Sequence, residues 1–348
     1  MRLQKQGRRR PSRRSRAVSL SASLTLRPLT AVIPASPRGV PFSRAVIAAN
    51  LAAFSPRTPG CRITAATGLR AEWITPPAGL ADPGAGGPGE EVPGVLLYLH
   101  GSAYMMCSAR THRGLTTRLA AETGLRVLSV DYRLAPEHPF PAAADDVRAA
   151  WDHLRETGVP AHRIVVAGDS AGGHLALTLV RDLIADGADL PAGVLALSPV
   201  VDLSMGLSAG RERIRRDPLT TAARAARLLA LYVGEHGDHP RLALAPDDLV
   251  GCPPVLIQAG GAEMLAADAV ELTRRLRAAG VDVELDVWPD QVHVFQALTR
   301  VVPEAHRALR EAAHFLRARL AEATPAAAAD TAAGRPSAAG DLLWAAGA

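Results

Sequence analysis

No apolar run in this 348-residue chain crosses a bilayer's width without meeting an arginine, aspartate or glutamate, which excludes a transmembrane helix from expectation. Cysteine is scarce as well. Cys61, Cys107 and Cys252 are odd in number and far apart, so they outline neither a disulfide framework nor a zinc pattern. A reducing compartment follows, and the cytoplasm is the expected location. Acidic side chains are missing from residues 1–27, which hold nine of the 39 lysines and arginines. Outside that stretch thirty basic residues face 34 acidic ones. The net charge of +5 therefore belongs to a tail, and the domain gives no reason to expect nucleic acid as a partner.

What is present is enough to bury one large core, with 48% hydrophobic and 21% charged residues. Residues 1–30 and 323–348 are low in complexity and read as tails. The first carries "GRRRPSRRSRAVSLSASLTL", whose arginines and Ala/Ser/Leu segment loosely match an export signal, the alternative to a disordered basic tail or an over-extended start. Between them, residues 31–322 form one domain. Strand-length apolar runs ("GVLLYLH", "RVLSVDYR", "RIVVAGDS", "GVLALSPV", "PPVLIQAG", "VDVELDVWP") alternate with helical patterns near 111–123, 143–157, 173–186, 266–279 and 303–321. That alternation predicts an α/β fold with a mainly parallel sheet covered on both faces. In such sheets the chemistry gathers beyond the strand C-termini.

The unusual residues fall there. Gly168-Asp169-Ser170-Ala171-Gly172 joins a strand to a helix, and a serine between glycines on such a turn is a nucleophile elbow, its hydroxyl projecting at the helix N-terminus. A serine hydroxyl needs a base, and the base needs an orienting acid. His293 follows the last strand and is the candidate base. Glu263, on the loop past "PPVLIQAG", is the preferred acid, with Asp268 in the next helical turn as its alternative. His236 and His239 read as a solvated loop, not as metal ligands.

The stretches "HGSAYMMCS", "VDYRLAPEHPFPAAADDV", "GDSAGGH", "GAEMLAADA" and "WPDQVHVF" occur in an order and spacing that resembles the hormone-sensitive-lipase branch (bacterial family IV) of the α/β-hydrolase esterases. The resemblance covers roughly residues 63–320. It implies an α/β-hydrolase fold with a helical cap, and a serine carboxylesterase acting on short- to medium-chain acyl esters through an acyl-enzyme, with no cofactor and no metal. The cap falls at about 31–70 and 203–237. Carried across, Ser170 is the nucleophile, His293 the base and Glu263 the acid where most members have aspartate. The amides of Ser102, Ala103 and Ala171 form the oxyanion hole, near His100, Gly101, Gly168, Asp169 and Gly172. Asp131, Tyr132, Arg133, Glu137 and Asp145 match a second motif and read as scaffold bracing loops near the site.

The family's His-Gly-Gly-Gly is His100-Gly101-Ser102-Ala103 here, so two positions that usually lack a side chain carry one. These side chains are expected to narrow the pocket and favour short acyl groups. Tyr104, Met105 and Met106 are candidate acyl-pocket residues, and Arg211 to Arg216 read as a solvated charged face. The expected partner is a small-molecule ester, with no stable membrane insertion and with a homodimer open as an assembly. A small-ligand binder that has lost catalysis, or an amide or lactone hydrolase, shares the scaffold and is the alternative.

Overall fold

The β-branched and leucine-rich runs assemble into one eight-stranded sheet: β1 (Arg62–Ala65), β2 (Ala71–Thr75), β3 (Val95–Leu99), β4 (Arg126–Val130), β5 (Ile164–Asp169), β6 (Gly193–Leu197), β7 (Val255–Gly260) and β8 (Val283–Trp288). The structure is a computed structural model describing residues 10–80 and 94–323. The strand order is β1-β2-β4-β3-β5-β6-β7-β8. From β4 to β8 all neighbours are parallel, and β1 and β2 add an antiparallel edge. All six expected strands are present.

Nine α-helices accompany them among the described residues: α1 (Arg13–Val32), α2 (Val40–Phe54), α3 (Arg113–Thr123), α4 (Ala142–Glu156), α5 (Ala171–Ala185), α6 (Gly206–Glu212), α7 (Ala222–Val233), α8 (Ala266–Ala278) and α9 (Pro303–Ala323). Because side chains alternate along a strand, the central strands are apolar on both faces. Leu96, Tyr98, Val165, Ala167 and Leu195 pack with α3 and α9. Leu97, Leu99, Val166, Val194 and Ile257 pack with α4, α5 and α8. Among the described residues no helix is long and apolar enough to cross a membrane.

The N-terminal expectation needs correction. Of the segment read as a tail, residues 1–9 lie outside the described residues, but Arg13 to Val32 form α1. Ser12 caps it, its hydroxyl accepting from the Ser15 amide at 3.1 Å. The Ser12 amide and the Ser15 hydroxyl both donate to the Glu304 carboxylate on α9, each at 2.6 Å. At the other end Arg27 donates to Glu212 and to the Thr220 carbonyl, both at 2.7 Å, and to the Asp217 carbonyl. Val18, Ala22 and Leu26 follow at helical spacing on one face, an apolar stripe that the surrounding arginines and serines mask in the sequence. Part of the cap segment expected at 31–70 is sheet instead, since β1 (Arg62–Ala65) falls within it. The expected C-terminal tail lies outside the described residues from 324 onward.

Removing the Arg27 guanidinium leaves the Asp217 and Thr220 carbonyls without this donor and the Glu212 carboxylate with only the Ala222 amide on its other oxygen. Arg27→Ala is therefore expected to destabilise the fold by about 2 kcal/mol, seen as a drop of several degrees in Tm. An unchanged melting curve would show that this end of α1 is not anchored.

Candidate active site

Ser170 ends β5 and starts α5 with φ 54° and ψ −116°. A left-handed φ on a residue with a Cβ costs roughly 1–3 kcal/mol and persists only where its surroundings enforce it. Here the Ser170 amide donates to the Leu197 carbonyl at 2.8 Å, and two glycines allow the close approach. A Cβ on Gly172 would stand 2.0 Å from the Leu99 carbonyl oxygen, and one on Gly168 would stand 2.2 Å from that of Gly172. The strand–turn–helix geometry expected around Ser170 is present.

His293 lies past β8, its Nε2 3.0 Å from Ser170 Oγ and its Nδ1 2.5 Å from Glu263 Oε2. Burial opposes charging of this imidazole, but the hydrogen bond and charge of Glu263 outweigh it and hold the His293 pKa above its usual value. Glu263 is fully buried just past β7. Its other oxygen, Oε1, accepts from the Gly260 amide at 2.6 Å and from the Ser198 hydroxyl at 2.8 Å. Ser198 Oγ in turn accepts from the Val294 amide at 3.2 Å.

Asp268 is not in this chain of contacts. It accepts from the amides of Val201 and Asp202 at 2.9 and 3.0 Å and from the Ser208 hydroxyl at 2.8 Å. Burial pushes its pKa up to about 6. Its position is that of a brace between the β6–α6 segment and α8.

Two residues that the sequence reading did not place at the site hold the loop that carries Glu263. Arg211, read as solvated, turns inward and donates from Nε to the Glu263 carbonyl at 2.9 Å and from an Nη to the Gly261 carbonyl at 2.7 Å. Asp217 is buried, accepting from the amides of Leu219 and Thr220 and, at 2.8 Å, from that of Met264. Burial raises its pKa. Asp217-Pro218 was the available signal, since aspartate before a tight turn often accepts from amides two residues on. Arg213, Arg215 and Arg216 do remain exposed.

Beyond β3 the chain turns sharply. Gly101 is needed for proximity: a Cβ there would stand 2.2 Å from Asp169 Oδ2. Ser102, Ala103 and Tyr104 then have φ of 83°, 56° and 62°. The amides of Ser102, Ala103 and Ala171 have no protein acceptor among the described residues, and all three residues line the cavity described below. Asp169 braces this turn from beneath, accepting from the Gly101 amide at 3.0 Å and the Tyr98 hydroxyl at 2.6 Å, with His112 Nε2 at 3.4 Å. Burial disfavours the His112 cation, but Asp169 overrides it and lifts its pKa to about 10. His100 has no such partner, and burial drops its pKa to about 3. It stacks on Tyr132, whose hydroxyl donates to the His100 carbonyl at 2.6 Å. The second motif is scaffold as expected: Arg133 pairs with Asp146, Glu137 with Arg44, and Asp145 with Arg241.

A cavity of about 660 Å³ opens over Ser170 and His293, walled by α1, α2 and α7 and largely apolar. Tyr104 and Met105 do not line it. Both are fully buried in the core, Tyr104 stacked on Tyr232 with ring centroids 3.8 Å apart, because the left-handed turn carries their side chains away from the site. Met106 does line it. The larger omission is α1, whose Val18, Ala22, Leu26 and Thr30 form one wall.

A parallel sheet with a strained serine at its centre, joined through histidine to a buried carboxylate, defines a hydrolase site. The sequence profile of the α/β-hydrolase fold matches residues 96–297. Carboxylesterase/phospholipase LipF of Mycobacterium tuberculosis is 36% identical over 317 residues, 88% of this chain and 82% of that protein. An acetyl-hydrolase of Streptomyces hygroscopicus is 40% identical over 223 residues, 64% of this chain and 75% of that protein. The crystal structure of an esterase from the bacterial hormone-sensitive lipase family superposes with a TM-score of 0.77 at 34% identity, covering 90% of this chain and all of that one. This chain belongs to the α/β-hydrolase family, in its bacterial hormone-sensitive-lipase branch.

Proposed function

We propose that this chain, a carboxylic ester hydrolase, cleaves short- to medium-chain acyl esters by an acyl-enzyme route in which Ser170, His293 and Glu263 act as a triad. The observation that carries the reading is the unbroken hydrogen-bonded series from Ser170 Oγ through both nitrogens of His293 to Glu263. His293 Nε2 takes the hydroxyl proton as Ser170 Oγ bonds to the ester carbonyl carbon. Glu263 holds the Nδ1 proton and stabilises the imidazolium. The amides of Ser102, Ala103 and Ala171 receive the tetrahedral oxyanion, each such donor lowering the barrier by about 3 kcal/mol. Collapse expels the alcohol, which takes the proton from His293. Water, deprotonated by the same nitrogen, then adds to the acyl carbon, and collapse breaks its bond to Ser170 Oγ, which takes the proton back from His293 as the acid leaves.

The cavity-lining stripe of α1 runs from Val18 to Thr30, about 18 Å at 1.5 Å per residue. That length supports a chain of moderate length beside the carbonyl, and the largely apolar lining supports an uncharged one. A pure ligand binder would not need the Ser170–His293–Glu263 contacts. The test is hydrolysis of p-nitrophenyl esters from acetate to dodecanoate, with labelling by a fluorophosphonate. The expected result is fastest turnover at the short and middle lengths, with the phosphonyl group on Ser170. No turnover, or a label elsewhere, would overturn the reading.

The pH dependence follows from the His293 environment. Only the neutral imidazole accepts a proton, and its pKa is raised above 6.5, so kcat/KM should fall on acidification through a value above 6.5. In Glu263→Gln the group that favours the cation is gone, and the residual activity should show this acid limb displaced to lower pH. An unmoved limb would mean that Glu263 does not govern the base.

A further inference from the structure

Helix α1 has two apolar faces, and only one of them is covered. Val18, Ala22 and Leu26 face the cavity. Leu20, Leu24, Pro28 and Val32 follow one another at steps of four along the outside, where one helical face recurs. Leu20 is 62% exposed, Leu24 69% and Val32 77%. Ser21 and Thr25, next in sequence to the two leucines, are exposed and line the cavity, so the stripe borders its mouth.

The surroundings are cationic. Arg10, Arg13 and Arg14 are exposed and pair with nothing among the described residues. Arg16 and Arg215 meet on the same carboxylate, Asp290, at 3.7 and 2.6 Å. That shared partner places the segment after α6 beside the N-terminal half of α1. The same segment presents Arg213, Arg216 and Ile214, which is 90% exposed. Two separate parts of the chain thus bring bare aliphatic side chains and unpaired arginines to one rim.

We propose that this rim is a docking surface for a bilayer carrying anionic headgroups. The arginines meet headgroup phosphates, while Leu20, Leu24 and Ile214 enter the boundary between headgroups and acyl chains. The cavity mouth then faces the lipid. This is adsorption and requires no spanning segment. A nucleic acid would satisfy the arginines but leave the aliphatic side chains in water. A second copy on the same face would set like charges against each other. The proposal does not depend on which ester is cleaved.

The test is co-sedimentation of the full chain with phosphatidylcholine vesicles, with and without phosphatidylglycerol, at low and moderate salt. Binding at least about tenfold tighter to the anionic vesicles, weakening as salt rises, supports the proposal. The doubly substituted Leu20→Glu/Leu24→Glu protein should lose about tenfold or more of that binding while turning over a soluble ester as the wild type does. Arg13→Gln/Arg14→Gln serves as an independent second variant and should lose the anionic preference. Absence of vesicle binding, indifference to phosphatidylglycerol, or variants that bind like wild type would overturn it. So would tight retention of DNA that the leucine substitutions leave unchanged, which would mark the rim as a polyanion site. Sedimentation equilibrium showing a dimer that the leucine substitutions dissociate would equally overturn it, by assigning the stripe to a second copy.

Discussion

Replacing Ser170 with alanine is expected to lower kcat for ester hydrolysis by about 10⁶-fold, the scale of losing the nucleophile in a serine triad. The fold should be nearly untouched. Alanine keeps the Cβ and the amide that donates to the Leu197 carbonyl, and only the hydroxyl, 3.0 Å from His293 Nε2, disappears. Residual turnover should come from the amides of Ser102, Ala103 and Ala171 and from binding alone. The measurement is steady-state hydrolysis beside a thermal melt. A variant with wild-type kcat would remove Ser170 from the chemistry, whereas a collapsed melt would assign the loss to folding.

The second large effect separates two buried carboxylates five positions apart. Glu263→Gln should cost about 10⁴ in kcat, since the amide can present its NH₂ to His293 and fix the wrong tautomer. Asp268→Asn should leave kcat within about tenfold. Its cost falls on the amides of Val201 and Asp202 and on the Ser208 hydroxyl, about 1–3 kcal/mol of stability. A larger kcat loss at Asp268 than at Glu263 would reverse the assignment. Their environments already differ: Glu263 is held by donors and by His293, whereas burial moves Asp268 up to about 6.

Those two carboxylates show what the sequence could and could not say. Strand position singled out Glu263, because a side chain on the first loop residues past β7 stands at the sheet's edge, where the base also lies. The turn at Ser170 was legible because Gly168 and Gly172 meet each other across it within one short stretch, although Gly172 also needs its room against the distant Leu99 carbonyl. What stayed hidden depends on partners distant in sequence. Arg211 looks like one of several surface arginines until it meets the carbonyls of Gly261 and Glu263, some fifty residues on. α1 was hidden for a related reason. Its cavity-facing stripe of Val18, Ala22 and Leu26 is diluted by arginine and serine, and Pro28 interrupts its pattern. Tyr104 and Met105 were assigned to the pocket from their place beside the loop. Three successive positive φ angles, invisible in a sequence that lacks the expected glycines, carried them into the core.

Ser198 has a mechanical meaning beyond its two hydrogen bonds. One hydroxyl, fixed to the end of β6, touches both the carboxylate of Glu263 and the amide of Val294, the residue following His293. Glu263 and His293 are thereby gauged from a common datum, as two parts are aligned in a jig by a single pin. When the sheet flexes, both loops shift with the pin and their separation is conserved, although their absolute positions are not. Ser170 is tied to the same strand end, its amide donating to the Leu197 carbonyl at 2.8 Å and its carbonyl accepting from the Val200 amide at 3.2 Å, so all three members of the hydrogen-bonded series take their position from the residues around Ser198.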